Sequence, residues 1–432
     1  MKVLLGTFYI YGTKAQKIMR ATKLSLILFV YVFAFFLGPI TTSLLLGCGL
    51  WIFGLFNKKF WFECIEVINT NLIFNLFKYW ILIILLGLIY SIIYYTFDYS
   101  FLSIYIAQLF HYIAAIPVFA YLSYKKYSVS EVEKSFIGIF IVQTFIQLIV
   151  ASIPSLRTAM FAFNHFDPTS VVGMGDNFRG SALAAATTYH LSLAYGICFI
   201  VYVKHYLIHK IDSRIVLYGI LIFAGIFCAG RSGFVGCIIA ILGYFILPKH
   251  YREVSKLKAV LKIGIITIIL VFLLLAIMSV LAPAFYDMMN TYILPYAFEF
   301  LYNQQTGGGV ETASTNRLIE MWNEDFNYIE LIIGSGHFSN TDGSYYMHVD
   351  PGILRHLLYF GVIGYIVILY YQYLAIPFFR MKDIKKYFSF LIFIFILVMD
   401  FKGLTAGGNK FMIFIPLLLS YTYLYLPDYQ DS

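Results

Sequence analysis

Long apolar runs recur along this chain from about residue 24 to residue 426, and no other feature limits its fold so strongly. Only 12% of the 432 residues are charged, which is about half the share found in soluble domains, whereas 61% are hydrophobic. The mean hydropathy is +0.82. A soluble core cannot use this much apolar surface, so lipid must solvate most of it. The sequence therefore predicts a polytopic membrane protein.

The runs are continuous rather than alternating, which is typical of membrane helices and not of a membrane barrel. Judged against about 20 residues per membrane-spanning helix, they predict an all-α polytopic fold with about 12 transmembrane helices in a single domain over residues 1–432. Two long polar segments interrupt the runs, an outer loop at 154–180 and a longer outer loop at 283–351 between the ninth and tenth spans. The predicted spans are 24–38, 40–56, 79–97, 101–123, 135–153, 181–203, 214–229, 232–247, 260–282, 352–377, 387–401 and 411–426.

The distribution of charge predicts the orientation of these spans. With both termini inside, 23 of the 30 Lys and Arg residues fall on cytoplasmic segments, while 13 of the 22 acidic residues fall outside. Membrane proteins retain their basic residues on the cytoplasmic side. We therefore expect both termini to be cytoplasmic and both long loops to face outward.

Arginine is the main basic residue on the predicted outer face, where it makes up five of the seven basic side chains. Its planar guanidinium binds phosphate in a bidentate manner and stays charged near lipid. The outer arginines therefore indicate a site for an anionic head group, with Arg179, Arg231, Arg317 and Arg355 as the candidates. The alternative is local pairing, for example of Arg179 with Asp176 or of Arg317 with Glu320.

The long outer loop and the start of the tenth span contain the remaining candidate residues. An amphipathic helix is predicted from Asn316, with Leu318, Met321, Trp322 and Phe326 on one face. His337, His348, Asp350, Arg355 and His356 follow within twenty residues of a Gly334-Ser335-Gly336 turn. Asp350 and His348 are candidate general bases, although Asp350-Pro351 also fits a helix N-cap. The loop has no metal-binding motif and the five cysteines form no CxxC pair, so neither a metal nor a cofactor is expected.

Several short motifs resemble the O-antigen polymerase (Wzy) family and, more broadly, the group that also contains O-antigen ligases. They are Arg317 followed by Trp322, Ile333 to Gly336, Asp350-x-Gly352 and Phe360-Gly361-Val362-Ile363-Gly364. The Arg179-Gly180 pair and the Arg231-Ser232 turn fit the same outline. The predicted architecture resembles that of this family over essentially the whole chain. One departure is that Asp350, with His348 before it, stands where the ligase-like pattern has a His-Asn pair.

This resemblance implies a membrane-embedded glycosyltransferase of the GT-C type in the bacterial inner membrane, with its active site facing the periplasm. Such enzymes transfer a glycan from undecaprenyl diphosphate to the terminal sugar of a lipid-linked repeat unit, so both donor and acceptor are lipid-linked oligosaccharides. A chain-length regulator and a flippase are the implied protein partners. The four arginines would bind the diphosphate, Asp350 or His348 would be the base, and His337, Tyr345 and Tyr346 would contact sugar.

Two other functions fit the sequence. An O-antigen or other polymer ligase would share the donor site and differ in its acceptor. A lipid-linked oligosaccharide flippase would bind the same diphosphate, although transporters tend to contain two related halves, and no internal repeat is visible here. Nothing in the sequence indicates nucleic-acid binding.

Overall fold

A computed structural model of the protein describes residues 2–165, 182–207, 213–248, 312–406 and 411–428, together with isolated positions between 251 and 291. These segments are almost entirely helical. The predicted ninth span at 260–282, most of the 154–180 loop and the first part of the 283–351 loop lie outside the described residues. The described segments confirm the expectation of an all-α fold with apolar helices typical of a membrane protein. The number of spans and their orientation stay predictions.

From Lys2 to Phe163 the described helices follow one another with short connections. A two-stranded hairpin, β1 (Phe36–Leu37) and β2 (Ile40–Thr41), separates the first two helices. The helices are α1 (Lys2–Phe33), α2 (Thr42–Phe56), α3 (Lys58–Ile68), α4 (Asn71–Ile93), α5 (Ser100–Tyr124), α6 (Val129–Ser152), α7 (Pro154–Phe163), α8 (Tyr189–Tyr202), α9 (Ser213–Ala229), α10 (Gly233–Ile246), α11 (Ala313–Trp322), α12 (Tyr328–Ile333), α13 (Gly352–Ala375), α14 (Asp383–Asp400) and α15 (Phe411–Tyr425).

Four of these helices, α4, α5, α6 and α13, are long and apolar enough to cross a membrane, and α2, α9, α10 and α15 are shorter apolar helices.

Several predicted helix boundaries were wrong. The first span was expected to reach residue 38, but α1 ends at Phe33 and Ala34 adopts a φ of 47°. The third was expected to begin at residue 79, but α4 begins at Asn71 because the Thr70 hydroxyl caps it by accepting from the Ile73 amide.

Helix α8 lies at the centre of the bundle. Every residue from Leu191 to Val203 is buried, and α8 packs against α6, α9, α10, α14 and α15. Its contact with α10 depends on glycine, because a Cβ added at Gly236 would lie 2.6 Å from the Cα of Gly196. Small residues let helix backbones approach this closely in membrane proteins.

Helix α13 coincides with the predicted tenth span but is not continuous. Gly361 adopts a φ of 65° and a ψ of −173° inside it, which divides α13 into a first arm (352–360) and a second arm (362–375). The rings of His356 and Tyr365 stack at 6.4 Å, although nine residues of straight helix rise by about 13.5 Å. The chain therefore bends sharply at Gly361, a conformation that glycine adopts without steric cost.

Residues 312–351 cover one end of the bundle, which we call the loop end. The amphipathic character predicted for α11 is confirmed, because Met321 is buried and Trp322 and Phe326 pack beside it, forming a small second core with the first arm of α13. The turn after α12 lies against the bend, where Ser335 N–H donates to the carbonyl of Leu358 at 2.7 Å. The loop end is thus a packed layer.

Candidate functional site

Arg355 lies on the first arm of α13 and is buried, with 5% of its surface exposed. Its guanidinium carbon is 3.7 Å from the ring centroid of Tyr345 and 4.2 Å from that of Phe338, so it lies between two aromatic rings. Among the described residues no carboxylate oxygen comes within 4.0 Å of it, and its Nε has no hydrogen-bond partner. A buried guanidinium that contacts aromatic rings, with no carboxylate in direct contact among the described residues, is well suited to receive an anion.

The Phe338 ring is held in place by Asp98, a residue that sequence reasoning did not single out. Asp98 lies in the turn between α4 and α5, and its Oδ2 accepts hydrogen bonds from the amides of Phe338 at 2.6 Å and Ser339 at 2.7 Å. Partial burial opposes ionisation of this carboxyl, but the hydrogen bonds from Ser100, Ser339 and Phe338 outweigh it and hold the pKa of Asp98 below its usual value. The carboxylate therefore joins two distant parts of the chain.

Asp350 lies at the loop end, two residues before α13, where its side chain reaches solvent. The alternative that it caps the helix was wrong, because Pro351 is the N-cap residue of α13 and no side chain caps this end. Surrounding protein displaces enough water to raise the pKa of Asp350, against the opposing attraction of Arg355 and then Arg317. The structure thus brings three of the predicted site residues within electrostatic reach of one another.

Arg317 forms the local pair that was considered as the alternative to anion binding. Its Nη1 is 3.2 Å from Oε2 of Glu320, and the two side chains are 59% and 65% exposed. An exposed pair of this kind contributes little to stability, so the guanidinium can be reoriented at low cost. Arg317 therefore still influences Asp350, but from the surface rather than from a buried position.

His348 follows Tyr345 and Tyr346 in the sequence and precedes Asp350, and its backbone is strained. Met347 and His348 have successive φ values of 53° and 56°, which cost of order 1–3 kcal/mol each for side chains other than glycine. The His348 Nδ1 lies 3.3 Å from the Ser344 hydroxyl, which in turn donates to Oδ1 of Asp342 at 2.6 Å. His348 is exposed, so it can reach solvent but makes no contact with Arg355.

The predicted sugar-contacting residues lie along the same surface. The His337 ring stacks on that of Tyr346 at 5.0 Å with an interplanar angle of 17°. Tyr345 is 45% exposed while its ring covers Arg355. Exposed or half-buried aromatic rings beside a buried cation can stack on the apolar faces of sugar rings.

Of the other two predicted arginines, only Arg231 is among the described residues. Arg231 lies in the turn between α9 and α10, as expected, and the Ser192 hydroxyl holds that turn by accepting from Gly233 N–H at 2.7 Å. Arg179 lies outside the described residues.

A second set of buried polar residues lies between α5 and both arms of α13. The Tyr105 hydroxyl is 3.5 Å from Nε2 of His356, and the Tyr371 hydroxyl donates to Oε1 of Gln108 at 2.6 Å. Polar residues spaced along apolar runs, as at 105, 108 and 112 in α5, are the signal that would have revealed this set.

A comparison of the sequence with protein-family models and with curated proteins finds no match.

Proposed function

We propose that this protein is a membrane-embedded glycosyltransferase that polymerises lipid-linked oligosaccharide repeat units, with Arg355 as the main diphosphate-binding residue. The proposal extends to the bacterial inner membrane as its location and to undecaprenyl diphosphate as the carrier, which the O-antigen polymerase resemblance implies. It assigns Asp350 as the general base. The observation that carries the proposal is the buried guanidinium of Arg355.

Arg355 supports a phosphate site because it is buried and no described carboxylate contacts it directly, so its positive charge is only partly offset, by the attraction of Asp350. Placing such a charge in a membrane protein is costly unless it is paired or used. The two rings compensate only in part, since a cation–π contact contributes about 0.5–2 kcal/mol. A diphosphate oxygen would complete its coordination with the bidentate geometry that arginine favours.

The arrangement of Asp350 and Arg355 fits glycosyl transfer. The acceptor hydroxyl oxygen would bond to the anomeric carbon, the bond from that carbon to the diphosphate would break, and the diphosphate would leave with the electron pair. The hydroxyl proton would pass to the Asp350 carboxylate, whose raised pKa makes it a better base than an ordinary aspartate. Arg355, assisted by Arg317, would stabilise the negative charge that develops on the leaving group.

Surface glycan from a strain lacking this gene tests the proposal. The gene is reintroduced as wild type, as Arg355→Gln or as Arg380→Gln, the last being an exposed arginine at the opposite end of the bundle. We expect a ladder of polymer with wild type and Arg380→Gln, and a single repeat unit with Arg355→Gln. A ladder from Arg355→Gln, in protein that is inserted normally, would refute the role of Arg355.

A flippase is the second candidate, and the bend in α13 favours it. Discontinuous helices commonly form the substrate sites of secondary transporters. If the strain lacking the gene accumulates lipid-linked repeat units that are inaccessible from outside, the protein is a flippase. If the same units accumulate accessibly and no glycan reaches its final acceptor, it is a ligase.

A further inference from the structure

Tyr359 lies four residues after Arg355 on the first arm of α13 and is completely buried. Side chains four residues apart point to the same face of a helix. The ring of Phe338 contacts both of them, because its centroid is 4.2 Å from the guanidinium carbon of Arg355 and 5.7 Å from the ring centroid of Tyr359. The two rings meet edge to face at 89°, a favourable geometry for aromatic pairs. Tyr359 therefore supports the ring that lies against Arg355.

The Tyr359 hydroxyl ties the first arm of α13 to α4 and to the turn that follows α4. Its oxygen is 3.0 Å from the carbonyl oxygen of Gly87 and 3.2 Å from that of Asp98. A phenol has one hydrogen to donate, so the two carbonyls share it. Gly87 lies inside α4, one of the helices long enough to cross a membrane. The hydroxyl therefore fixes the first arm, and Arg355 with it, relative to a long helix.

Asp98 completes a closed set of contacts around Arg355. Its backbone carbonyl accepts from the Tyr359 hydroxyl, while its side-chain Oδ2 accepts from the amide of Phe338 at 2.6 Å. The backbone carbonyl of Tyr359 in turn accepts from the amide of Gly336 at 3.2 Å. The segment that carries Phe338 is therefore held by Tyr359 directly and, through Asp98, a second time.

Packing alone would explain the ring of Tyr359 but not its hydroxyl. The ring centroid lies 4.9 Å from that of Phe101 and 4.5 Å from that of Phe360, and a phenylalanine would make these contacts equally well. A buried hydroxyl is costly unless it is hydrogen-bonded, and here its acceptors belong to two parts of the chain, α4 and the turn after it. The hydroxyl is therefore placed where it restrains geometry as well as filling space.

We propose that Tyr359 is a positioning residue for Arg355. Its ring holds Phe338 against the guanidinium, and its hydroxyl sets the position of the first arm relative to α4. Tyr359 has no exposed surface, so it acts through these neighbours and not on a ligand. The identification of that ligand as a diphosphate rests on the proposed function, whereas the positioning contacts do not.

Modification of Arg355 by phenylglyoxal, which reacts with accessible guanidinium groups, tests this role without an activity assay. The full-length protein in lipid nanodiscs is compared as wild type, Tyr359→Phe and Tyr202→Phe, and the modified residues are quantified by mass spectrometry. Tyr202→Phe is the matched control, because it removes a buried hydroxyl that donates to the carbonyl of Ile215 at 2.7 Å. We expect Arg355, relative to the exposed Arg380, to react about 3- to 10-fold faster in Tyr359→Phe alone, the effect of losing one hydrogen bond. Unchanged reactivity, or equal acceleration in Tyr202→Phe, would overturn the proposal.

Protection by inorganic pyrophosphate separates this inference from the proposed function. If the site binds diphosphate, pyrophosphate should slow the modification of Arg355 in wild type, and Tyr359→Phe should need about 3- to 10-fold more of it for equal protection. Equal protection of both proteins at the same concentration would overturn the positioning role. Faster modification in Tyr359→Phe, with no protection of wild type at any concentration, would support the positioning role and count against diphosphate as the ligand.

Discussion

The guanidinium carbon of Arg355 lies 3.7 Å from the centre of the Tyr345 ring. Phe338, on the other side of the guanidinium, is only 4% exposed, whereas Tyr345 is 45% exposed. Phe338 is therefore the fixed support and Tyr345 the cover that an incoming ligand would displace.

Lysine should not replace arginine at position 355. A lysine keeps the positive charge but loses the planar surface that packs between the two rings and the bidentate geometry toward phosphate. We expect Arg355→Lys to lower kcat/KM for the lipid-linked donor by roughly 10-fold or more, since loss of a charge-assisted hydrogen bond costs about 1.5–3 kcal/mol. The exposed Arg380→Lys is the matched control. Equal activity of the two variants would show that charge alone is required.

Asp98 should stabilise the loop end in a pH-dependent manner. Its pKa is held below the ordinary value in the folded protein, so its contribution is present above the pKa of the unfolded chain and is lost as pH falls through the folded pKa. Replacing it by asparagine weakens the bonds to the Phe338 and Ser339 amides, and we expect about 1–3 kcal/mol of destabilisation at pH 7. The difference in the free energy of unfolding between wild type and Asp98→Asn should become smaller at acid pH.

Unfolding measured in detergent at several pH values checks this expectation. Asp342→Asn is the control, because that carboxylate also has a lowered pKa but bonds only within its own turn, to Ser344. A constant difference between wild type and Asp98→Asn from neutral to acid pH would contradict the assignment.

The parts of this fold that the sequence predicts are those determined by local composition. The helices α5 and α13 follow from apolar runs, and the buried face of α11 follows from the spacing of Met321 and its neighbours. The contact between Asp98 and Phe338 joins residues 240 positions apart, and no local pattern encodes such a pairing. Asp98 was visible only as a single carboxylate between two apolar runs.

The bend at Gly361 was also beyond prediction, for a different reason. Glycine is frequent in membrane helices, and Gly361 stands in an apolar run that has the composition of a continuous span. The bend packs closely against the end of α12 and the turn after it, since a Cβ added at Gly361 would lie 2.5 Å from the carbonyl oxygen of Ile332 and 2.8 Å from the amide nitrogen of Gly334. That turn belongs to a different part of the chain, so the hydrophobic periodicity of the span gives no information about it.

Gly361→Ala should destabilise the protein, because an alanine at a φ of 65° is strained and its Cβ would clash with Ile332. We expect a loss of about 1–3 kcal/mol, the usual range for such backbone positions. Gly138→Ala is the matched control. Gly138 lies inside α6, where a Cβ would meet nothing within 4 Å, so alanine should be neutral or stabilise by up to about 1 kcal/mol. Thermal unfolding of both variants measures the two changes in stability. Equal changes would argue against a bend that requires glycine.

The pH dependence of the reaction should identify the base. Asp350 acts as a base only when ionised, and its pKa is raised, so activity should fall with decreasing pH at a higher pH than an ordinary aspartate would give. Asp350→Asn should lower the rate by about 10²-fold or more and remove this acidic limb. His348→Gln should retain both the limb and most of the rate. If His348→Gln instead abolishes activity while Asp350→Asn keeps the wild-type profile, the histidine is the base and the role of Asp350 is restricted to its charge beside Arg355.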